Sequence, residues 1–129
     1  MNWNLLLMVM AGGAIGAGMR YLVSDALFRQ LGNGLPWGTL AVNLAGSFAA
    51  GFLVVWLEGR GSGASGLRAF LIIGVLGGLT TYSALMLECL VYARGDKPAL
   101  IASYLALTLA GGLALVWAGA RCAEMLPRA

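Results

Sequence analysis

The sequence predicts an all-α membrane protein with four transmembrane helices. Of its 129 residues, 60% are hydrophobic and only 10% are charged, and the mean hydropathy is +0.87. Four stretches, at about 4–27, 36–57, 67–92 and 98–120, reach the roughly 20 apolar residues that a helix needs to cross a bilayer core. The short, polar, glycine-rich connections between them are typical of turns between antiparallel neighbours, so we expect one domain over 1–129.

The first span contains GGAIGAGMRY at 12–21, in which Gly12 and Gly16 lie four residues apart. Small residues at this spacing let two membrane helices approach closely. A cleaved signal peptide is the alternative for this stretch. No lysine or arginine precedes its apolar run, however, and signal peptides normally carry such a basic segment. We therefore expect the first span to remain as a membrane helix.

The second span carries GTLAVNLAGSF at 38–48. In a helix, Thr39, Asn43 and Ser47 recur every four residues and share one stripe. Hydrogen bonds to a neighbouring helix would explain any one of these side chains. A repeated stripe of polar groups in a membrane segment is more typical of a lined path for a solute.

The third span carries GVLGGLTTYSAL at 74–85, which has the composition of a weak helix. Gly77 and Gly78 each lower helix propensity by roughly 1 kcal/mol relative to alanine, and the threonines that follow add competing hydroxyls. We therefore expect the third helix to break near Gly77 to Thr81 and to restart near Tyr82.

A broken membrane helix predicts a ligand or a partner at the break. Each unpaired backbone N–H or C=O in hydrocarbon costs several kcal/mol, so irregular backbone is tolerated only where it is buried in protein or lines a wet cavity. Exposed carbonyls suit a hard cation, whereas the restarting helix N-terminus suits an anion. The alternative is that GVLGG at 74–78 is only a small-residue packing face.

The fourth span repeats the polar stripe with Ser103 or Tyr104, then Thr108 and Gly112, again four apart, and the third span adds Ser83 and Glu88. Glu88 is the only carboxylate clearly within a span, so hydrogen-bond donors dominate. An anion is the better fit to such a path. Amide and hydroxyl groups, with the weakly positive ring edge of Tyr82, would replace the hydration shell of a small halide.

Other classes of function have little support in the composition. There is no histidine and no Cys-x-x-Cys pair, which argues against a transition-metal site. The dispersed basic residues form no stripe for nucleic acid. No nucleophile, base and orienting group occur together, so we do not expect an enzyme.

The basic residues give the chain almost no preferred orientation in the membrane. With four spans they divide nearly evenly: Arg60, Arg68, Arg121 and Arg128 on one side, and Arg29, Arg94, Lys97 and the nearby Arg20 on the other. Orientation follows an excess of Lys and Arg in cytoplasmic loops, and here there is none. We therefore expect a dual-topology antiparallel dimer with its two-fold axis in the membrane plane. The alternative is one fixed orientation set by other signals.

Three blocks of this sequence resemble the signature blocks of the Fluc fluoride channels, also called CrcB proteins. They are GGAIGAGMRY at 12–21, GTLAVNLAGSFAAG at 38–51 and GVLGGLTTYSAL at 74–85. The resemblance implies an antiparallel homodimer in the bacterial cytoplasmic (inner) membrane, which exports fluoride passively through two pores. It also implies a structural sodium ion at the dimer centre, held by the backbone carbonyls of Gly77 and Thr80 of each chain.

The resemblance also assigns side chains to the fluoride path. The family's pore asparagine corresponds to Asn43, its fourth-helix polar track to Tyr104 and Thr108, and its first-helix arginine near a vestibule to Arg20. Glu88 matches an acidic position near a pore end. Together with our own reading of the stripes, the expected pore residues are Thr39, Asn43, Tyr82, Ser83, Tyr104 and Thr108.

One block departs from the family pattern. The family usually shows TTFSTF, whose two phenylalanines present ring edges to fluoride, whereas this chain reads TTYSAL at 80–85. Tyr82 keeps an aromatic edge, and Leu85 removes the second ring. The departure leaves three outcomes open: a channel with altered anion contacts, a slow or less selective channel, or a subunit of a heterodimer whose partner supplies the ring.

Two rivals from other classes remain. A small proton-coupled multidrug exporter is also short and dual-topology, but it needs a carboxylate within the first helix, and none precedes Asp25. A non-transporting assembly subunit would explain the glycine-rich faces and Leu85.

Overall fold

The computed structural model describes residues 1–127 and contains four helical spans that are long and apolar enough to cross a membrane. This confirms the predicted all-α fold class. The first, second and fourth spans are α1 (Trp3–Leu31), α2 (Trp37–Glu58) and α6 (Pro98–Glu124). α1 runs beyond the predicted apolar stretch, and its last turns carry an exposed ion pair, with Arg29 Nε 3.0 Å from Asp25 Oδ2.

The third span, Ser62–Arg94, is built from several pieces. A 3₁₀ turn at Ser62–Ala64 leads into α3 (Ser65–Arg68), a π-helical stretch at Ala69–Leu76, α4 (Gly77–Leu79) and finally α5 (Tyr82–Arg94). The predicted break is confirmed, and it lies between α4 and α5. Its two residues are extended: φ is −82° and ψ 154° at Thr80, and φ is −152° and ψ 127° at Thr81.

The glycines before the break remain helical and serve packing instead. A methyl group at Gly16 would overlap the carbonyl oxygen of Val75, and one at Gly78 would overlap the carbonyl oxygen of Gly13. α1 and the first half of the third span therefore cross backbone to backbone. The alternative of a small-residue packing face therefore holds for Gly78. It does not hold for Gly77, where a methyl would meet nothing within 4 Å.

This crossing predicts a large difference between neighbouring glycines of α1. Gly16→Ala should lower the free energy of unfolding by about 1–3 kcal/mol, because the added methyl forces two backbones apart. Gly13→Ala is the matched control, since a methyl there meets nothing within 4 Å. Denaturant titration of both variants in detergent, followed by circular dichroism, measures the difference. Equal losses in the two variants would contradict this packing.

α2 and α6 form the other closely packed pair. A methyl at Gly51 would overlap the carbonyl of Val116, and a methyl at Gly119 would overlap that of Phe48. α5, by contrast, packs mainly against α6 and leaves a broad apolar face uncovered. The exposed residues of that face include Tyr82, Leu87, Leu90 and Val91. Lipid or another protein chain must cover it.

Candidate functional site

Asn43 of α2 holds the break in the third span. The Thr81 N–H donates to Asn43 Oδ1 over 2.8 Å, and Asn43 Nδ2 donates to the Thr81 carbonyl over 3.0 Å. One side-chain amide thus satisfies both backbone groups of an extended residue that no helix can pair. Because a primary amide carries two N–H donors, the second one remains available for another acceptor.

The two threonines of the break close the helix ends on either side. Thr81 Oγ1 accepts the N–H of Ala84 at 3.2 Å and so caps α5. Thr80 Oγ1 donates to the carbonyl of Leu76 at 2.8 Å. The methyl of Thr80 packs on Gly46 of α2, where any added Cβ would overlap it. Both ends of the break therefore have a fixed position against α2.

A cavity of about 500 Å³, the main cavity, lies in front of the break. Its lining includes five of the residues predicted for the site: Asn43, Gly77, Thr80, Tyr82 and Thr108. The hydroxyl of Thr108 is buried and has no hydrogen-bond partner among residues 1–127. A buried hydroxyl without a partner costs about 1–3 kcal/mol, so the packing of residues 1–127 alone does not account for it.

The carbonyls of Gly77 and Thr80 fit a hard cation. A helix leaves its last carbonyls without intrahelical partners, and the hydrogen bonds of residues 1–127 include none to these two oxygens. Both residues line the cavity, and a methyl group added at Gly77 would meet nothing within 4 Å. Unwound backbone carbonyls and half-helix C-termini are the groups that coordinate Na⁺ in membrane transporters. The donor chemistry therefore suits the expected sodium ion.

Two predicted pore residues, Thr39 and Tyr104, meet at Glu88 and not at the main cavity. Thr39 Oγ1 donates to Glu88 Oε1 at 2.6 Å, and the Tyr104 hydroxyl donates to Glu88 Oε2 at 2.5 Å. Tyr104 is fully buried. Thr39 and Glu88 line a second cavity of about 430 Å³, which reaches the loop between α1 and α2.

The start of α5 shows how the departure from the TTFSTF pattern is accommodated. Tyr82 is 75% exposed beside the main cavity, and Ser83 is exposed with its hydroxyl 3.4 Å from Thr81 Oγ1. Leu85 is 5% exposed and packs with Leu40 and Tyr104 in one apolar cluster. Within one chain, Leu85 therefore serves the core.

Arg20 lies beside the break. Its Nε donates to the carbonyl of Gly78 at 3.1 Å. The vestibule position that the family resemblance implies for Arg20 stays a prediction, and the structure adds a specific contact with the end of α4. Arg128, one of the basic residues assigned to the opposite side of the membrane, lies outside the described residues.

Sequence reasoning did not single out Thr81 as a site residue, and it did not link Thr39 and Tyr104 to Glu88. These contacts join residues 38, 49 and 16 positions apart. Helical periodicity shows which side chains share a face, but not which helix that face meets. The one available signal was the polar residue in each of three spans at a similar depth.

The chain matches the family model described as "CrcB-like protein, Camphor Resistance (CrcB)" over residues 7–120. It is 56% identical over 124 residues to the "Fluoride-specific ion channel FluC" of Xanthomonas axonopodis pv. citri, covering 96% of this chain and 93% of that protein. The protein of the same name from Xylella fastidiosa strain 9a5c is 53% identical over 119 residues, 92% of this chain and 83% of the relative. For Chelativorans sp. the identity is 48% over 115 residues, 88% and 91%.

Proposed function

The chain belongs to the CrcB-like protein family, and we propose on this basis that it is a fluoride-specific ion channel of a bacterial membrane. It is a multi-pass protein with four spans. Membership in a family of ion channels also means that it is not an enzyme, and it leaves the multidrug-exporter alternative without support. Transport is passive, because a channel only lets an ion follow its electrochemical gradient.

The convergence of neutral donors on the main cavity carries this proposal. Asn43 offers its second amide hydrogen, Thr108 its unpaired hydroxyl and Tyr82 a ring edge. Such groups replace part of the hydration shell of a small anion. None of these groups carries a full positive charge. Fluoride therefore binds there weakly enough to leave again, as conduction requires.

The second polar cluster extends the path toward the loop between α1 and α2. The hydroxyls of Thr39 and Tyr104 donate to Glu88 when no anion is near. A fluoride ion at this level competes with the carboxylate for the same two donors. Ser83 adds an exposed hydroxyl on the adjacent turn of α5.

A second chain in the opposite orientation completes the path. The main cavity is open on one side, and α5 presents an apolar face that its own chain does not cover. An antiparallel homodimer would close both surfaces and give two symmetry-related pores. The nearly balanced basic residues support insertion in both directions.

Sodium belongs at the centre of this dimer. The Gly77 and Thr80 carbonyls of two chains would supply four oxygens around it. Bound there, the ion supplies a positive charge that neutralises two helix C-terminal ends, each equivalent to roughly half a negative charge.

A second candidate function is that of a heterodimer-dependent channel subunit. Leu85 favours it, because it lines the main cavity and, as a leucine, offers no second ring to the path. A homologue with an aromatic residue at that position would supply the ring in a mixed dimer.

Fluoride efflux from reconstituted vesicles tests both candidates. Phosphatidylethanolamine–phosphatidylglycerol vesicles are loaded with potassium fluoride, and an ion-selective electrode follows efflux once a potassium ionophore is added. The expected result is rapid fluoride release with little chloride release from matched vesicles. Release no faster than from protein-free vesicles, without rescue by a co-reconstituted homologue, would overturn the channel assignment.

A further inference from the structure

The backbone carbonyls at the C-terminal end of α4 have different partners. The carbonyl of Leu76 is paired with both the N–H and the hydroxyl of Thr80. The carbonyl of Gly78 accepts Nε of Arg20. Those of Gly77 and Thr80 accept no hydrogen bond from any described residue. Hence the Gly78 carbonyl is paired with Arg20, whereas the Gly77 and Thr80 carbonyls, which belong to residues that line the cavity, have no donor among residues 1–127.

The glycine crossing explains why Arg20 reaches this point. Gly16 of α1 lies against Val75 and Leu79, and Gly78 lies against Gly13 and Ala17. Arg20 follows Gly16 by one helical turn on the same face. Its side chain therefore extends over the last turn of α4 from the side opposite the cavity.

Among residues 1–127, Arg20 has no carboxylate partner to explain its position. The ion pairs among residues 1–127 are Arg29 with Asp25 and Arg121 with Glu124. A charged side chain within a membrane span is costly unless something pairs with it. The negative end of the α4 dipole, through the Gly78 carbonyl, is the partner that the structure provides.

We propose that Arg20 is a positioning residue for the sodium site: it anchors the Gly78 peptide on the α1 side and so keeps the adjacent Gly77 carbonyl directed at the cavity. Since that site is part of the proposed function, the role of Arg20 rests on it. A residue that orients a metal ligand from behind typically changes metal affinity 10–100-fold when it is replaced.

Sodium-dependent thermal stability of the purified full chain measures this role without any flux. Sodium is titrated against N-methylglucamine at constant ionic strength, and the melting temperature rises with sodium as the folded state binds it. The rise begins where the sodium concentration reaches its dissociation constant, and Arg20→Gln should raise this onset concentration by about tenfold or more. Arg29→Gln is the matched control, because it removes an equal charge at an exposed ion pair and should leave that concentration unchanged.

Arg20→Lys keeps the positive charge and an N–H donor group. This variant replaces Arg20→Gln in the test if the glutamine variant does not fold. Its onset concentration should shift in the same direction by a smaller factor. A value equal to that of Arg29→Gln, or tighter sodium binding than in the unmodified chain, would overturn the role of Arg20. A sodium-independent unmodified chain would overturn it together with the sodium site, whereas the fluoride efflux assay decides the channel function separately.

Discussion

Replacing Asn43 with leucine is expected to lower fluoride efflux about 100-fold. The change removes a donor from the cavity and leaves the N–H and the carbonyl of Thr81 unpaired. A hydrogen bond to a charged group contributes about 1.5–3 kcal/mol, and each 1.4 kcal/mol corresponds to a factor of ten, so the lost donor sets the expected decrease in efflux. The vesicle efflux assay measures the rate, and gel filtration checks that the variant retains its assembly.

Two further variants separate the pore role of Asn43 from its structural role. Asn43→Asp keeps the acceptor for the Thr81 N–H but places a negative charge in the anion path, so it too should block efflux. Asn4→Leu removes an exposed amide at the start of α1 and should change efflux less than twofold. Efflux within about threefold of the unmodified rate in Asn43→Leu would contradict a pore lined by this amide.

Thr108→Val should lower fluoride efflux about tenfold without loss of stability. The hydroxyl of Thr108 makes no hydrogen bond to any described residue, so its removal breaks nothing in the fold. A hydrogen bond to a charged group contributes about 1.5–3 kcal/mol, which sets the expected loss of transport. Efflux and the free energy of unfolding are measured on the same preparation.

Ser103→Ala is the matched control for this hydroxyl. Ser103 lies on the same helix, is exposed and donates to the carbonyl of Ala99 in its own helix at 2.8 Å. Its loss should leave fluoride efflux unchanged. If Thr108→Val conducts like Ser103→Ala, or if it unfolds more readily than the unmodified chain, then Thr108 does not face the anion.

The sequence was sufficient to predict the four spans and a break near Gly77 to Thr81, but not which residues of that segment would leave the helix. Gly77 and Gly78 were expected to weaken the helix, yet both remain helical in α4. The extended residues are Thr80 and Thr81, because Asn43 pairs the backbone of Thr81 from another helix. Propensity locates a weak segment, whereas a tertiary contact decides which peptide opens.

The candidate site was predictable as a set of residue types but not as an arrangement. Periodicity placed Thr39 and Asn43 on one stripe of α2, and they do lie one turn apart. Their partners differ, since Thr39 bonds Glu88 and Asn43 bonds Thr81. A stripe cannot show that two adjacent turns contact different parts of the third span. In the same way, the sequence predicted that Gly16 lies on a packing face, but not that this face contacts the third span.

The proposed pathway depends on two chains that face opposite ways, because one chain supplies an open cavity and an uncovered α5 face. Labelling of Ser62→Cys, in the loop between α2 and α3, with a membrane-impermeant thiol reagent tests this directly in a chain whose Cys89 and Cys122 are replaced by alanine. We predict that about half of the chains react in intact cells and the remainder only after permeabilisation. Labelling of all chains or of none in intact cells would contradict dual topology.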